Sequence, residues 1–219
     1  QVDQNSKYTE EVTSSIDSLD IIYKFYHLDD SEKNYFIQNE HRYIVPIVKS
    51  LDGEEFTYSD STYQQIPTEI RNPTKYITFV LQRKDNLDDK DYFNFTSVNN
   101  LYKGNQPIPD INKNLLDEFN IELNGNDLFE SLPSKILNNL ELYSKFNTNS
   151  NVLLYTFSFA LYPNDVNPSG TLNFTQVMNQ VFKLKLINNS NFDNKSVFFR
   201  CYNVAYNVLT VKDGFTGFQ

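Results

Sequence analysis

The sequence predicts an all-β fold, an eight-stranded antiparallel sandwich of the jelly-roll type with one or two short helices. Three observations lead there. The 219 residues include 18 Phe and 15 Tyr but no Trp, in a chain that is only 39% apolar; rings suit pleated, half-buried surfaces. Eight segments rich in β-branched and aromatic residues are separated by Asn, Pro and Gly turn signals. The regular strand–helix alternation of a parallel sheet is absent, so antiparallel strands in two packed layers are expected. A chain of this length buries about 70% of its unfolded surface, enough for one sizeable core.

Residues 1–18 are polar and without period, and read as a linker or arm. The strands are expected near 19–27, 41–49, 62–70, 75–82, 118–124, 152–161, 172–187 and 196–211. Asp29-Asp30-Ser31-Glu32 places acids and a hydroxyl where a helix would start, so a short helix to about Gln38 is expected. Pro46 marks its strand as an edge or a bulge, because proline donates no ladder bond. Residues 83–117 are polar and proline-punctuated and read as one long excursion loop, which in a compact domain is functional or exposed. Asn124-Gly125 is a tight-turn signal. Leu132–Tyr143 has helical spacing, with Pro133 in the first turn, Ser131 as a candidate cap, and Ile136, Leu137, Leu140 and Tyr143 on one face. The Asn-rich runs 147–151 and 188–191 read as turns. Core candidates are Phe157, Phe159, Val181, Leu184, Val204, Tyr206 and Val208.

The chemistry-bearing residues are sparse. Lys and Arg total 19 against 28 acids, a net charge of −9, which argues against a nucleic-acid groove. A single cysteine, Cys201, excludes an intrachain disulfide and a cysteine-rich zinc site. His27 and His41 lie in separate strand-like segments and read as sheet residues rather than metal ligands. Asp85, Asp88, Asp89 and Asp91 lack the ordered spacing and the glycine of a calcium loop. No phosphate-cradling glycine loop and no Gly-x-Ser-x-Gly elbow occurs. Asn94, Asn173, Asn188 and Asn194 open glycan-acceptor triplets, a weak signal in an Asn-rich chain. No apolar run reaches the roughly 20 residues of a membrane-spanning helix. No catalytic, cofactor-binding or metal-binding residue is assigned, and no cofactor is expected.

One stretch is more particular. Tyr155-Thr156-Phe157-Ser158-Phe159-Ala160-Leu161-Tyr162-Pro163 leads through a polar loop to Asn167-Pro168-Ser169-Gly170-Thr171-Leu172-Asn173-Phe174-Thr175. Its word order resembles a stretch of the major capsid proteins of nucleocytoplasmic large DNA viruses. Three further stretches agree with that family in order: Tyr26–Lys33 through His41–Ile44, Ile121–Phe129, and Tyr202–Leu209. Arg42 stands where the family usually has glutamate, Leu128 where arginine is common, and the glycine-rich end is reduced to Gly214-Phe215-Thr216-Gly217.

The resemblance implies the C-terminal jelly roll, residues 19–219, of a double jelly-roll protein whose first roll lies before Gln1. It implies a non-enzymatic structural role in an icosahedral capsid, through homotrimers that form pseudo-hexameric capsomers. The partners it implies are further copies, neighbouring capsomers and minor capsid proteins. It implies no direct contact with nucleic acid and only an indirect one with an inner membrane, in a virion assembled in the infected cell's cytoplasm. A scaffolding or minor capsid protein of the same fold is the first alternative. A carbohydrate-binding jelly-roll module, with exposed aromatics on a concave face, is the second.

Overall fold

A computed structural model describes residues 17–57, 63–88, 90–97, 102–103, 106–107, 114–150, 152–187 and 196–218. The first regular element is α1 (Asp30–Gln38), whose cap is the one expected: Asp29 is extended and its carboxylate accepts from the Glu32 amide. The chain continues through β1 (His41–Thr57), β2 (Gln64–Pro67), β3 (Pro73–Arg83), α2 (Lys84–Asp88), and the two-residue β4 (Tyr102–Lys103) and β5 (Gln106–Pro107). Next come β6 (Leu116–Leu123), β7 (Asn126–Asp127), β8 (Leu132–Pro133), a π-helical turn (Ile136–Leu140) and α3 (Glu141–Phe146). The last third carries β9 (Tyr155–Ser158), β10 (Leu172–Asn173), β11 (Gln180–Leu186), β12 (Ser196–Lys212) and β13 (Phe215–Phe218).

Two antiparallel sheets result. One follows the order β1-β12-β3-β10, with β9 also on β3 and β13 also on β12. The other follows β2-β11-β6-β7, with β8 also on β6. With strands lettered B to I as β1, β2, β3, β6, β7/β8, β9, β11 and β12, these are the B-I-D-G and C-H-E-F sheets of a jelly roll.

The two inner faces meet in a stack of rings. Phe79 of β3 lies 4.8 Å from Phe119 of β6, and 5.3 Å from both Tyr155 of β9 and Phe199 of β12. Phe119 in turn meets Phe182 of β11 at 5.5 Å. All five are almost wholly buried. Each buried ring contributes about 1.5–3 kcal/mol through area alone, so this cluster is the main cohesion between the sheets.

Several expectations need correction. Residues 19–27 form no strand: they are exposed and outside both sheets, so the lettering begins one segment later, at β1. The segment 172–187 is not one bent strand. β10 pairs with β3 in one sheet, and after a 3-10 turn at Phe174–Gln176 the chain enters the other sheet as β11. Gln180 fixes the crossing, because its buried side chain accepts from the Ile70 amide and donates to the carbonyls of Ile70, Phe174 and Val177.

Residues 83–117 are not a bare loop. β3 runs to Arg83, α2 follows, and β4 and β5 pair as a small ribbon before β6. Ser131 is no helix cap, since its hydroxyl meets that of Tyr63 at 3.0 Å, and Pro133 lies in β8. Of the core candidates, Leu184 is fully buried, while Phe157 and Phe159 pack against the core's rim. Val181, Val204 and Val208 are only partly covered. The period of two points Phe182, Leu184 and Leu186 inward on β11, and Val197, Phe199 and Cys201 inward on β12. Tyr206 is buried but on the outer side, under the Lys75 ammonium at 5.2 Å. Among the Asn runs, Asn147 ends α3 in the left-handed region, whereas 188–191 lie outside the described residues.

Candidate assembly surfaces

The residues that could have carried chemistry are built into the fold. Cys201 is completely buried opposite Phe79, and desolvation pushes its thiol pKa well up, which makes it inert. His41, at the start of β1, is packed by the rings of Tyr35 and Phe36 at 5.3 and 5.0 Å, while His27 lies exposed ahead of α1. Among the described residues, no three His, Cys, Asp or Glu side chains gather as a metal site.

Of the acidic stretch after β3, Asp91 joins a buried polar knot. The Arg83 guanidinium, 2% exposed, donates to the Thr96 carbonyl and to Asn86 Oδ1. Asn86 donates to the Asn94 carbonyl, and Asn94 donates to Asp91 while accepting from the Thr96 amide and hydroxyl. A buried guanidinium is tolerated only when it is hydrogen-bonded, and this knot supplies acceptors at Nε and Nη2 while anchoring the root of the excursion. It also withdraws Asn94 from solvent, so that glycan triplet is closed in the folded chain. Asn173 accepts from the Thr175 amide as a cap, and Asn188 and Asn194 lie outside the described residues.

The Pro168-Ser169-Gly170 turn is equally constrained. Ser169 Oγ accepts from the Tyr162 amide at 2.8 Å and donates to the Tyr162 carbonyl at 3.0 Å. Gly170 sits at φ +139°, where a Cβ would come within 2.9 Å of the Phe159 carbonyl oxygen. The motif therefore clamps the end of β9 to the start of β10, and only glycine fits its last position.

What the fold leaves open is exposed apolar surface. On β1 the residues opposite the core-facing Leu51 register point outward, and Ile44 and Val48 among them are 63% and 68% exposed. Tyr202 of β12, paired with Ser50, continues that outer strip, and Phe215 and Phe218 extend exposed apolar surface onto β13. β1 is an edge strand, with Pro46 inside it. The outer face of the second sheet is different. Lys183 pairs with Glu122 and Asp127 at 2.6 and 2.8 Å, and Lys185 pairs with Asp117 and Glu118, both at 3.2 Å. Hydrogen bonds from Tyr63 and Lys185 hold the Glu118 carboxyl below its ordinary pKa. One sheet thus presents an apolar outer strip, the other an ion-paired polar one in which four carboxylates share two lysines. Sequence reasoning missed the apolar strip, because alternation alone does not say which side of an edge strand meets the core.

Comparison with known proteins agrees with this architecture. The profile of one family, described as the large eukaryotic DNA virus major capsid protein, matches residues 32–217. The major capsid protein of Paramecium bursaria Chlorella virus 1 is 27% identical over 176 residues, covering 72% of this chain and 39% of that protein. That of Phaeocystis pouchetii virus is 31% identical over 97 residues, covering 44% of this chain and 19% of its own length. Among solved structures, a quasi-atomic model of the PBCV-1 virus capsid matches with a TM-score of 0.71 and 23% identity, over 87% of this chain and 54% of the other. The Faustovirus major capsid protein matches with a TM-score of 0.64 and 12% identity, over 84% and 36%. The chain spans about half the length, or less, of the relatives it matches. The family profile runs from within α1 into β13 and takes in both sheets of the sandwich, so the chain belongs to the large eukaryotic DNA virus major capsid protein family.

Proposed function

We propose that this chain is the C-terminal jelly roll of a subunit that builds an icosahedral viral shell by self-assembly, with no reaction centre. A second roll precedes it in the polypeptide. Three subunits close around one axis into a pseudo-hexameric capsomer, and capsomers meet each other and minor capsid proteins in the virion. Assembly takes place in the infected cell's cytoplasm. Nucleic acid is not touched directly, in keeping with the net charge of −9, and an inner membrane is reached only through other proteins.

The observation that carries this reading is the family match across the complete sandwich, β1 to β13. Two features of the surface support it. The apolar outer strip at Ile44, Val48 and Tyr202 supplies adhesive area on an edge strand, and a closed ring needs such a heterologous, head-to-tail contact. The knot around Arg83 roots a long excursion on a rigid strand end, which suits a projecting contact element. Permanent contacts of this kind commonly bury more than about 2,000 Å². Native mass spectrometry of the full polypeptide at micromolar concentration is the test. A mass three times that of the subunit is expected, and a strictly monomeric species would overturn the reading.

A further inference from the structure

Two clefts open along the connection from β2 to β3. The first, about 450 Å³, lies in the seam between β1 and β2, which are edge strands of different sheets. Its floor belongs to the core: Ile66 and Phe199 are 4% and 1% exposed, and Leu51 packs against the same cluster. Glu54 and Glu69, both exposed, stand at its rim. The second cleft, about 280 Å³, is lined by Phe174, Val177, Met178 and Arg71. Thr68 and Glu69 line both, so the two clefts form one groove. The seam is open for a structural reason. The ladder of β1 shifts register between Leu51 and Glu54, and β2 stops at Pro67, which donates no ladder bond. Neither edge carries an unbroken ladder across the seam, so an occupant is held by side chains that fill the clefts.

We propose that this groove docks an extended segment of a different protein, one in which large apolar side chains alternate with Lys or Arg. The apolar side chains enter the two clefts, and the cations meet Glu54 and Glu69. The inference rests on the assembly reading above and deepens it, giving the chemistry of a partner other than the subunit itself. Charge selects the occupant. Among the described residues Glu54 forms no ion pair, and Glu69 has only Arg71 at 4.0 Å, with both side chains largely exposed. Such a pair contributes little, so both carboxylates are free to meet an incoming cation. A second copy is the poorer match, because a chain of net charge −9 brings an excess of carboxylates to two that are already there. The apolar floor in turn disfavours a purely polar ligand, whose groups would be desolvated without partners. Met178, 99% exposed, offers a flexible thioether that adapts to different apolar side chains at the far end of the groove.

Fluorescence anisotropy with labelled peptides and the full polypeptide tests this. The probes are short capped peptides in which Phe and Leu alternate with Lys, and a matched set with Glu in place of Lys. The Lys set is expected to bind saturably below about 1 mM and more weakly as salt rises, and the Glu set at least about tenfold more weakly. Glu54→Lys with Glu69→Lys is expected to weaken the Lys set at least about tenfold. Glu32→Lys with Asp213→Lys, the same change in net charge on exposed carboxylates outside the groove, is expected to leave binding within about twofold. Met178→Ser, at a position too exposed to matter for folding, is expected to weaken it as well. No saturable binding of the Lys set, equal binding of both sets, or indifference to the groove variant would each overturn the inference. So would a groove variant that turns trimers into monomers, which assigns the groove to a second copy. A trimer that ignores the Lys set sinks this inference and leaves the assembly reading standing. A strict monomer that binds the set through Glu54 and Glu69 does the reverse.

Discussion

At the scale of single residues, the most constrained position is one the sequence already singles out. Gly170 and Gly125 both have positive φ, +139° and +83°, but their surroundings differ. An added Cβ at Gly125 meets nothing within 4 Å, while at Gly170 it would press on the backbone between β9 and β10. Gly170→Ala is therefore expected to cost about 1–3 kcal/mol. That lowers Tm by roughly 3–10 °C for a domain of this size. Gly125→Ala is expected to cost about 1 kcal/mol or less, because only the backbone preference is lost. Thermal unfolding of the two variants side by side checks the ranking, and equal losses would show that the close contact at Gly170 does not matter. Asn124-Gly125 was legible for a related reason: Asn124 at φ +52° and Gly125 give the two left-handed positions of a tight hairpin turn, and dipeptide chemistry alone determines them. Asn124 Oδ1 also accepts from the amides of Met178 and Asn179, a tie between distant segments that no local pattern carries.

At the scale of elements, the helical segment after β8 shows where periodicity misleads. A period of 3.6 assigns Ile136, Leu137, Leu140 and Tyr143 to one face. In the structure Leu140 and Tyr143 are exposed, and the buried pair is Leu137 and Leu142. They are five residues apart, the spacing that a π-helical turn brings onto one face. The ends of the segment are held by the β8–β6 pairing and by Asn147 in the left-handed region, so the extra residue is absorbed inside the helix. Leu137→Ala is expected to cost about 2–5 kcal/mol, and Leu140→Ala less than about 1 kcal/mol. Chemical denaturation of both variants measures the difference, and a reversed order would restore the regular helix. The other misread elements have the same origin. Alternation recognises strand character in 19–27 and in 172–187, but it cannot say whether a segment joins a sheet, or which one. That is decided by long-range partners such as Gln180 and Ile70.

At the scale of the whole molecule, two strands set the shape. β1 and β12 each run 17 residues and pair along almost their whole length, with one irregularity between Leu51 and Glu54. The inner face of this ribbon carries Cys201, Phe199 and Val197 into the core; its outer face carries Ile44, Val48 and Tyr202 into solvent. If the outer strip is the contact proposed above, stability and assembly lie on opposite faces of the same two strands, and substitutions can separate them. Ile44→Asp with Val48→Asp places two charges on a surface already exposed to water, so the fold should lose no more than about 1 kcal/mol. In an interface the same charges would be desolvated without partners, at several kcal/mol, which abolishes association. The double variant is expected to keep its Tm within about 4 °C while native mass spectrometry shows monomer in place of trimer. Leu184→Ala is the converse, lowering Tm through a core cavity while the folded fraction still assembles. If the double aspartate variant still forms trimers at wild-type concentration, the outer strip is not the contact between subunits and the adhesive surface must be sought on another face.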